Sequence, residues 1–296
     1  MKIIKPSVEF LGAVPTDYEG AVKFIEMAGR TCYKSESKIS ADSAEKFVKK
    51  LISARPSPHL AMVEHSNFVV YLTGNSTANI PYLEGSTGKY LNYFKKHIGG
   101  NLTAWYYRFM SARSKKSIPL YFYPFYEKYK QLFNLPDTDI PSNQWVAYSS
   151  MHIPDRLQRY SVKFICDRGV SHELVRHRPC SFAQESTRYV NYSSKDMEFI
   201  EPAGFVNWSW AAKNIFKVDC KSSELLYKAA TFVGLSPQQA RAVLPNALKT
   251  EVIVTADLEE WVHIFKLRCH KSAHPDFVRL AVQLRDKFIE EELIQQ

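Results

Sequence analysis

The chain has 296 residues, of which 45% are hydrophobic and 23% are charged, a composition typical of a soluble globular protein. Its formal net charge of +9 favours anionic partners such as phosphates, nucleic acid or acidic membrane surfaces, without choosing among them. Five scattered cysteines without a CxxC pair argue against a disulfide framework or a zinc site. The sequence starts without a signal-like apolar region, and no apolar run approaches the ~20 residues of a membrane span. We therefore expect a soluble, cytoplasmic protein without a membrane partner.

The first 72 residues show strand and helix patterns in turn. A short strand is predicted at 8–11, and apolar residues recur at helical spacing over 18–30 and 43–54. After a turn with two prolines, the β-rich run Phe68–Leu72 predicts a second strand.

Two histidines before this second strand raise the question of a metal site. His59 and His65 are six residues apart and Glu64 lies beside them, but no second ligand group has suitable spacing. We expect these histidines to form ordinary hydrogen bonds or to contact a bound ligand. The sequence therefore predicts no metal site.

Residues 75–155 carry the weakest structural signals. We predict a helix before Gly99 and Gly100, a break at this pair, and a second helix after it. The aromatic run that follows mixes tyrosines with basic residues, as stacking platforms for single-stranded nucleic acid do. Amphipathic helices whose lysines surround an aromatic core give the same pattern. We favour the helices, because nothing here resembles a known nucleic-acid module.

Regular patterns return at Tyr160. Alternation over 160–166 places the apolar residues of this run on one face of a half-buried strand. Its expected partner is Phe68–Leu72, which makes the residues between them an excursion from a two-stranded pair. A helix predicted at 169–176 follows and leads into an arginine-rich segment.

This segment, VRHRPCSFAQESTRYVNY over 175–192, is more polar and cationic than packing requires. Guanidiniums bind phosphate and carboxylate oxygens through forked donors and stay charged at any working pH. We expect it to bind a small oxygen-rich anion, and we favour a nucleotide phosphate. A solvated basic face is the alternative, and we favour it less because aromatic and hydroxyl residues interrupt the arginines and no lysine occurs among them.

The C-terminal region has clear helix signals. Ser236, Pro237 and Gln239 form a capping-box pattern at the start of a helix that contains Arg241 and ends at Pro245.

A predicted strand at 249–255 leads to another helix, which Asp257 and Glu260 open. We expect this helix to bury a stripe formed by Leu258, Trp261, Val262 and Phe265. Arg268 falls at its end, where a favourable interaction with the helix dipole is an ordinary explanation for an arginine. A final amphipathic helix is predicted at 275–293.

Three segments resemble flavin-dependent thymidylate synthases. RHRPCSFAQESTRY, over 176–189, matches the family signature RHRx7S followed by RY. HLAMVEH, over 59–65, is similar to the flavin-contacting H-x-T-x-x-E-H segment, with Ala61 where threonine is common. The run ARAVLPNALKTEVIVTADLEEWVHIFKLR resembles the C-terminal half of the family without a gap. The resemblance is loose over 8–73 and close over about 160–285.

The resemblance implies reductive methylation of dUMP to dTMP. Methylenetetrahydrofolate would supply the carbon, NADPH the reducing equivalents, and FAD would carry the hydride. It also implies an α+β fold, an antiparallel β-sheet flanked by helices, in a homotetramer whose subunits share active sites. We expect residues 1–296 to form one such domain, with a mainly helical insertion at about 75–158 and no nucleic-acid partner.

By position in the family, the FAD contacts would be His59, Ala61, Arg176, His177, Arg178, Gln184, Asp257, Glu259 and His263. The family often has asparagine at 257 and arginine at 259. The acidic pair of this chain therefore departs from the pattern where flavin phosphates are expected.

The resemblance places Glu173, Arg176, Gln184, Glu185, Ser186, Thr187, Arg188, Arg241 and Arg268 around dUMP. Uracil C5 becomes nucleophilic when negative charge on the ring is stabilised, and the guanidinium of Arg268 would supply this catalytic help. Ser186 is expected to bind the nucleotide and not to act as a nucleophile. The nearest base in sequence, His177, lies between two arginines that disfavour a further positive charge.

A different class of function stays open on sequence alone. A basic RNA- or DNA-binding protein could use the arginine- and tyrosine-rich stretch against backbone and bases. It leaves unexplained why arginines recur at 176, 178, 188, 241 and 268 on separate elements.

Overall fold

The computed structural model describes residues 1–72, 91–114, 118–138, 146–148 and 153–295. The strands in these ranges are β1 (Lys2–Ile4), β2 (Ser7–Ala13), β3 (Phe68–Leu72), β4 (Leu91–Phe94), β5 (His97–Gly100), β6 (Val146–Tyr148), β7 (Arg159–Asp167), β8 (Ser181–Gln184), β9 (Glu198–Ile200) and β10 (Lys249–Asp257). The helices are α1 (Tyr18–Tyr33), α2 (Ser43–Ile52), α3 (Leu60–Val63), α4 (Leu102–Ser114), α5 (Tyr123–Phe133), α6 (Arg168–Leu174), α7 (Trp210–Phe232), α8 (Pro237–Ala240), α9 (Leu258–Arg268) and α10 (Pro275–Glu290).

The central sheet is antiparallel, in the order β2-β7-β10-β8. β7 and β10 pair along their whole length, from Arg159 opposite Asp257 to Asp167 opposite Lys249. One face of the sheet packs against α6, α9 and α10, and this face contains the alternating apolar residues of β7, as predicted. The other face packs against α1 through a small cluster that includes Ala28 and Ile253. Antiparallel sheet and helices together confirm the α+β class.

The predicted pairing of β7 with β3 is wrong. β3 belongs to a second antiparallel sheet, in the order β4-β5-β3-β6, whereas β7 lies between β2 and β10. Alternation identifies the buried face of a strand but contains no information about its partner. The strands that pair with β3 come from the segment predicted to be an insertion.

The helix predicted before Gly99 and Gly100 is also wrong. Residues 91–100 form the hairpin β4–β5, whose two-residue turn has Lys95 in the left-handed region at a φ of 55°. Gly99 lies inside β5, where a Cβ atom would come within 3.1 Å of Val69 Cγ2 and 3.2 Å of Leu157 Cβ. Glycine therefore fits the close packing of β5 against Val69 and Leu157 and does not mark a helix break.

The aromatic segment 121–133 forms part of a buried core. This confirms the prediction of helices around an aromatic core, which we favoured over a stacking platform for single-stranded nucleic acid. Buried rings from α4 and α5 pack on β3, and Trp105 Nε1 donates a hydrogen bond to the Phe68 carbonyl at 3.0 Å. Phe109 and Tyr126 stack with centroids 5.6 Å apart. Rings buried in this way are not accessible to nucleic-acid bases. The segment predicted to be a mainly helical insertion therefore contains the strands β4–β6 as well as the helices α4 and α5.

The C-terminal signals are mostly confirmed. The capping box at Ser236 and Gln239 is present, but α8 has only four residues and continues as a 3₁₀ turn that contains Arg241. The Asp257 side chain caps α9 by accepting from Glu260 N at 2.9 Å. Trp261 and Phe265 are buried as expected, whereas Val262 is 46% exposed and does not belong to the buried stripe.

α10 begins at Pro275, as predicted, and ends at Glu290. No helix in the described ranges combines the length and apolar character needed to cross a bilayer.

Candidate functional site

The predicted site residues form two groups, one on either side of α6. The first group lies where the C-terminal ends of α6 and α9 meet. Arg268, the last residue of α9, donates from Nε to His177 Nε2 at 3.1 Å. Its other nitrogens donate to the carboxylate and the backbone oxygen of Glu173. We call Glu173, His177 and Arg268 the arginine–histidine cluster. It joins residues more than 90 positions apart, as the site hypothesis requires.

The hydrogen bond from Arg268 determines which ring nitrogen of His177 carries the proton. Because Nε2 accepts this bond, the single proton of the neutral ring lies on Nδ1, which faces Glu260 Oε1 at 3.4 Å. Burial and the charges of Arg268 and His263 lower the pKa of His177 to about 4. The ring is therefore neutral at pH 7, in agreement with the expectation that it is a poor proton acceptor.

The same region contains three side chains with metal-ligand chemistry. Ligand atoms of His177, Glu260 and His263 lie within 4.8 Å of one another. The proton on His177 Nδ1 and the guanidinium on Nε2 leave this ring no lone pair for a cation. The sequence-based expectation of no metal site stays a prediction, and the chemistry of this cluster agrees with it.

The basic and acidic residues expected to contact FAD in this region have different surroundings. Arg176 and Arg178 are exposed in the turn that follows α6. The Asp257 carboxylate caps α9, and Glu259 forms an exposed ion pair with Arg156 Nε at 2.8 Å. The acidic pair therefore serves helix capping and an ion pair, while the two arginines remain at the surface beside His177.

His59 and Ala61 lie at the start of α3, and both are exposed. His59 Nδ1 is 3.5 Å from the Tyr33 hydroxyl, and the Tyr33 ring lies 5.4 Å from the ring of Tyr189. These contacts associate His59 with the loop after β8. His65, in contrast, is fully buried, with Nδ1 2.7 Å from Thr255 Oγ1, which confirms the hydrogen-bonded interpretation for this histidine.

The second group of predicted residues lies in this loop after β8. Thr187 accepts a hydrogen bond from Arg241 Nη1 at 3.3 Å, and Arg188 Nε donates to Gln238 Oε1 at 3.0 Å. Two predicted arginines therefore meet through the α8 region. Gln184 Nε2 donates to Ser171 Oγ of α6 at 2.9 Å, which links the loop to the helix that carries Glu173.

Ser186 is half-buried in the same loop, and its Oγ accepts from Arg188 N at 3.3 Å.

Glu185 is buried in a charged network that the sequence analysis did not identify. Its carboxylate accepts from the Tyr192 hydroxyl at 2.7 Å and from Lys249 Nζ at 3.2 Å. Lys249 also bonds Glu251 at 2.6 Å. We call the set of Glu185, Glu251, Lys34, Lys163 and Lys249 the lysine–glutamate network. Because both carboxylate oxygens of Glu185 already accept hydrogen bonds, this residue is positioned to hold the loop in place.

Opposing effects set the charge state of this network. Burial alone would raise the pKa of Glu251, but hydrogen bonds from Lys163, Lys249 and Lys34 lower it to about 2. Burial and the carboxylate of Glu185 raise the pKa of Tyr192, so this hydroxyl stays a donor. The sequence signal that could have revealed the network is the pair of charged residues at 249 and 251, which share one face of a strand whose residues are otherwise mostly apolar.

Comparisons with known proteins agree with the signature segment. Residues 154–291 match the family model described as thymidylate synthase complementing protein. A flavin-dependent thymidylate synthase of Geobacter sulfurreducens is 36% identical over 117 residues, 40% of this chain and 50% of that protein. The proteins of the same name from Pyrococcus furiosus and Mycobacterium tuberculosis are each 32% identical, over 41% and 43% of this chain and 50% and 57% of their own lengths. The chain spans about half the length of the curated relatives it matches.

Proposed function

Because residues 154–291 match the family model described as thymidylate synthase complementing protein, we propose that this protein converts dUMP to dTMP by reductive methylation. Methylenetetrahydrofolate is the carbon donor and NADPH the reductant. FAD supplies the hydride chemistry when it is bound. The observation that carries the proposal is the convergence of Glu173, His177 and Arg268, which come from two helices and the turn after one of them.

The exposed arginines after α6 fit the diphosphate of FAD. Arg176 and Arg178 offer forked donors to phosphate oxygens, and the neutral His177 between them adds no further charge. Glu260 Oε1 is buried and makes no hydrogen bond within the described residues, so it can accept one from a bound ligand.

We keep His59, Ala61, Gln184 and His263 as further FAD contacts. Asp257 and Glu259 would lie near FAD as neighbours that offer no donor to its phosphates.

The loop after β8 would hold dUMP. Ser186, Thr187, Arg188 and Arg241 supply hydroxyl and guanidinium donors for the phosphate, and Gln184 adds an amide. Glu173 and Arg176 approach from the end of α6. Glu185 acts indirectly, because the lysine–glutamate network engages its carboxylate and thereby fixes the loop.

Arg268 is the proposed catalytic residue. Negative charge develops on the pyrimidine as C5 attacks the incoming carbon, and a guanidinium held in place stabilises this charge without having to reorganise. Glu173 and His177 hold the guanidinium on two sides, and its carbon lies 5.1 Å from the centre of the Phe277 ring. The same contacts stop Arg268 from turning to solvent between turnovers.

We also propose the family fold in a homotetramer with shared active sites. The helix α7 supports this, because it exposes Ile215, Val218, Leu225, Leu226 and Phe232, with Phe232 90% exposed. Large apolar side chains at helical spacing along a surface helix are typical of a subunit interface. The remaining proposals are one domain over 1–296 with an insertion at about 75–158, a cytoplasmic location and no nucleic-acid partner.

Tritium release tests the proposed function. Protein with FAD, NADPH, methylenetetrahydrofolate and C5-tritiated dUMP is expected to release tritium and to form dTMP in equal amounts. Omission of the folate should abolish dTMP formation. Colourless protein that binds oligonucleotides with a steep salt dependence, and that forms no dTMP with added FAD, would favour a nucleic-acid-binding function instead.

A further inference from the structure

A cationic surface beside the loop after β8 contains Arg168, a residue that the proposed function does not use, next to Thr187 and Arg241. A cavity of about 240 Å³ opens between α6 and the turn after α8. Its polar lining consists of Arg168, His172, Thr187, Arg241 and Asn246, and the rest is apolar. We call it the cationic pocket. No carboxylate side chain is among the described residues that line it.

A neighbouring cavity of equal volume provides an internal comparison. It also measures about 240 Å³ and is lined by Lys34, Lys195 and Lys249 together with four acidic residues, Glu185, Asp196, Glu198 and Glu251. Lys34 and Lys249 form ion pairs with these carboxylates, and the four acidic residues outnumber the three lysines, so this balanced pocket requires no external anion. The cationic pocket places two guanidiniums together with no carboxylate among the described residues of its lining, an arrangement that an anion would stabilise.

Arg168 has donors left for such an anion. Its two hydrogen bonds both leave from Nη1, to the Glu185 carbonyl at 3.4 Å and to Thr250 Oγ1 at 3.2 Å. These bonds orient the guanidinium, while Nε and Nη2 make no hydrogen bond within the described part of the chain. Burial lowers the pKa of Arg168; Tyr192 and Glu185 oppose this shift, and the like charge of Arg241 adds to it.

We infer that the cationic pocket binds a phosphate group and that Arg168 is its second guanidinium, opposite Arg241. The inference deepens the proposed function and rests on it, because the phosphate would be that of dUMP. A guanidinium pair can hold a phosphate dianion through several charge-assisted hydrogen bonds, with the Thr187 hydroxyl and the His172 ring at the edge of the pocket. Arg168 would thereby favour the 5′-monophosphate over the nucleoside.

The test measures the dissociation constants of dUMP, deoxyuridine and inorganic phosphate by calorimetry at constant ionic strength. Arg168→Gln is expected to raise the dissociation constants of dUMP and inorganic phosphate tenfold or more and to change that of deoxyuridine by less than twofold. The matched control is Lys195→Gln, which removes one positive charge from the balanced pocket and should change all three constants by less than twofold. Arg168→Lys keeps the charge without the fork, and an intermediate loss is expected.

The outcomes separate this inference from the proposed function. If Arg168→Gln and Lys195→Gln weaken the binding of dUMP equally, the inference is overturned, because long-range charge alone would then explain the effect. Equal weakening of dUMP and deoxyuridine would also overturn it. If Arg168→Gln does not fold, Arg168→Lys decides, and phosphate affinity equal to that of the wild type would contradict the inference. Phosphate binding that depends on Arg168, in a protein that binds no dUMP, would support the pocket and refute the nucleotide assignment.

Discussion

The lysine–glutamate network and the arginine–histidine cluster are both charged and both contact the central sheet or its helices, yet they are organised differently. In the network, Lys249 forms ion pairs with two carboxylates and Glu251 with three lysines, so every member has an oppositely charged partner within the chain. In the cluster, Glu173 compensates Arg268, but Arg176 and Arg178 lie close by at the surface. Buried ion pairs indicate a structural role, whereas exposed arginines beside a buried histidine fit a site for an anion.

The largest expected effect tests the cluster. Arg268→Gln should lower kcat for dTMP formation about 10²–10³-fold, because the charge on the pyrimidine loses its stabilising donor. The free energy of unfolding should be measured beside kcat, because the substitution also removes the hydrogen bonds from Arg268 to Glu173 and His177. Lys266→Gln, at an exposed position of the same helix, is the control and should keep kcat within twofold. Unchanged kcat in Arg268→Gln would remove this residue from the mechanism.

A substitution in the lysine–glutamate network should lower the stability of the fold. Lys249→Met leaves Glu185 and Glu251 buried with too few partners, which should lower the free energy of unfolding by about 3–5 kcal/mol. Urea unfolding followed by circular dichroism measures the loss. Lys195→Gln should cost less than about 0.5 kcal/mol, because this lysine is exposed. Equal stability of the two variants would show that the network is not structural.

The pH dependence of stability should separate the two regions. His177 has its pKa lowered from 6.5 to about 4, so it stabilises the fold above pH 6.5, and this contribution disappears as the pH falls towards 4. Glu251, lowered from 4.5 to about 2, contributes above pH 4.5 and loses its effect between pH 4.5 and 2.

Substitutions can assign these two pH windows. His177→Asn should make stability less dependent on pH between 6.5 and 4, by about 2–3 kcal/mol in total. Glu251→Gln should act only in the lower window. Unfolding midpoints measured in urea at a series of pH values provide the check. An unchanged slope between pH 6.5 and 4 in His177→Asn would contradict the neutral, buried state of this ring.

The smallest expected effect concerns the flavin. Arg178→Gln should weaken FAD binding about tenfold, because one forked donor to the diphosphate is lost. Quenching of flavin fluorescence measures the dissociation constant. Arg113→Gln, an exposed arginine at the end of α4, is the control and should leave it unchanged. If both variants bind FAD equally well, the turn after α6 does not hold the diphosphate.

Local sequence patterns predicted part of this architecture. Periodicity found the buried face of β7, and side-chain chemistry found the caps at Ser236 and Asp257, because these signals act between residues close in sequence. Pairing partners lie far apart in sequence, so the neighbours of β3 and β7 were assigned wrongly. Gly99 of β5 was misinterpreted for a related reason, since its role depends on contacts with Val69 and Leu157.

The site residues show the same contrast between local signals and long-range contacts. The family resemblance predicted Arg268, Arg241 and Thr187 as functional residues, and the fold brings Arg241 to Thr187 and Arg268 to His177. Arg168 and Lys249 were not predicted: a single basic residue after a strand, such as Arg168, carries no local signal, and the charged pair of Lys249 and Glu251 was not interpreted as a network. The contacts of Arg168 and Lys249 with Glu185 arise only after β7, β8 and β10 have paired.

A titration of FAD-loaded protein with dUMP tests most directly whether the two groups of residues form one site. We expect a saturable change in the flavin absorbance spectrum, with the dissociation constant found by calorimetry, and a weaker response in Arg241→Gln and Arg268→Gln. dUMP that binds with this constant without changing the flavin spectrum would place nucleotide and flavin at separate sites and contradict the account.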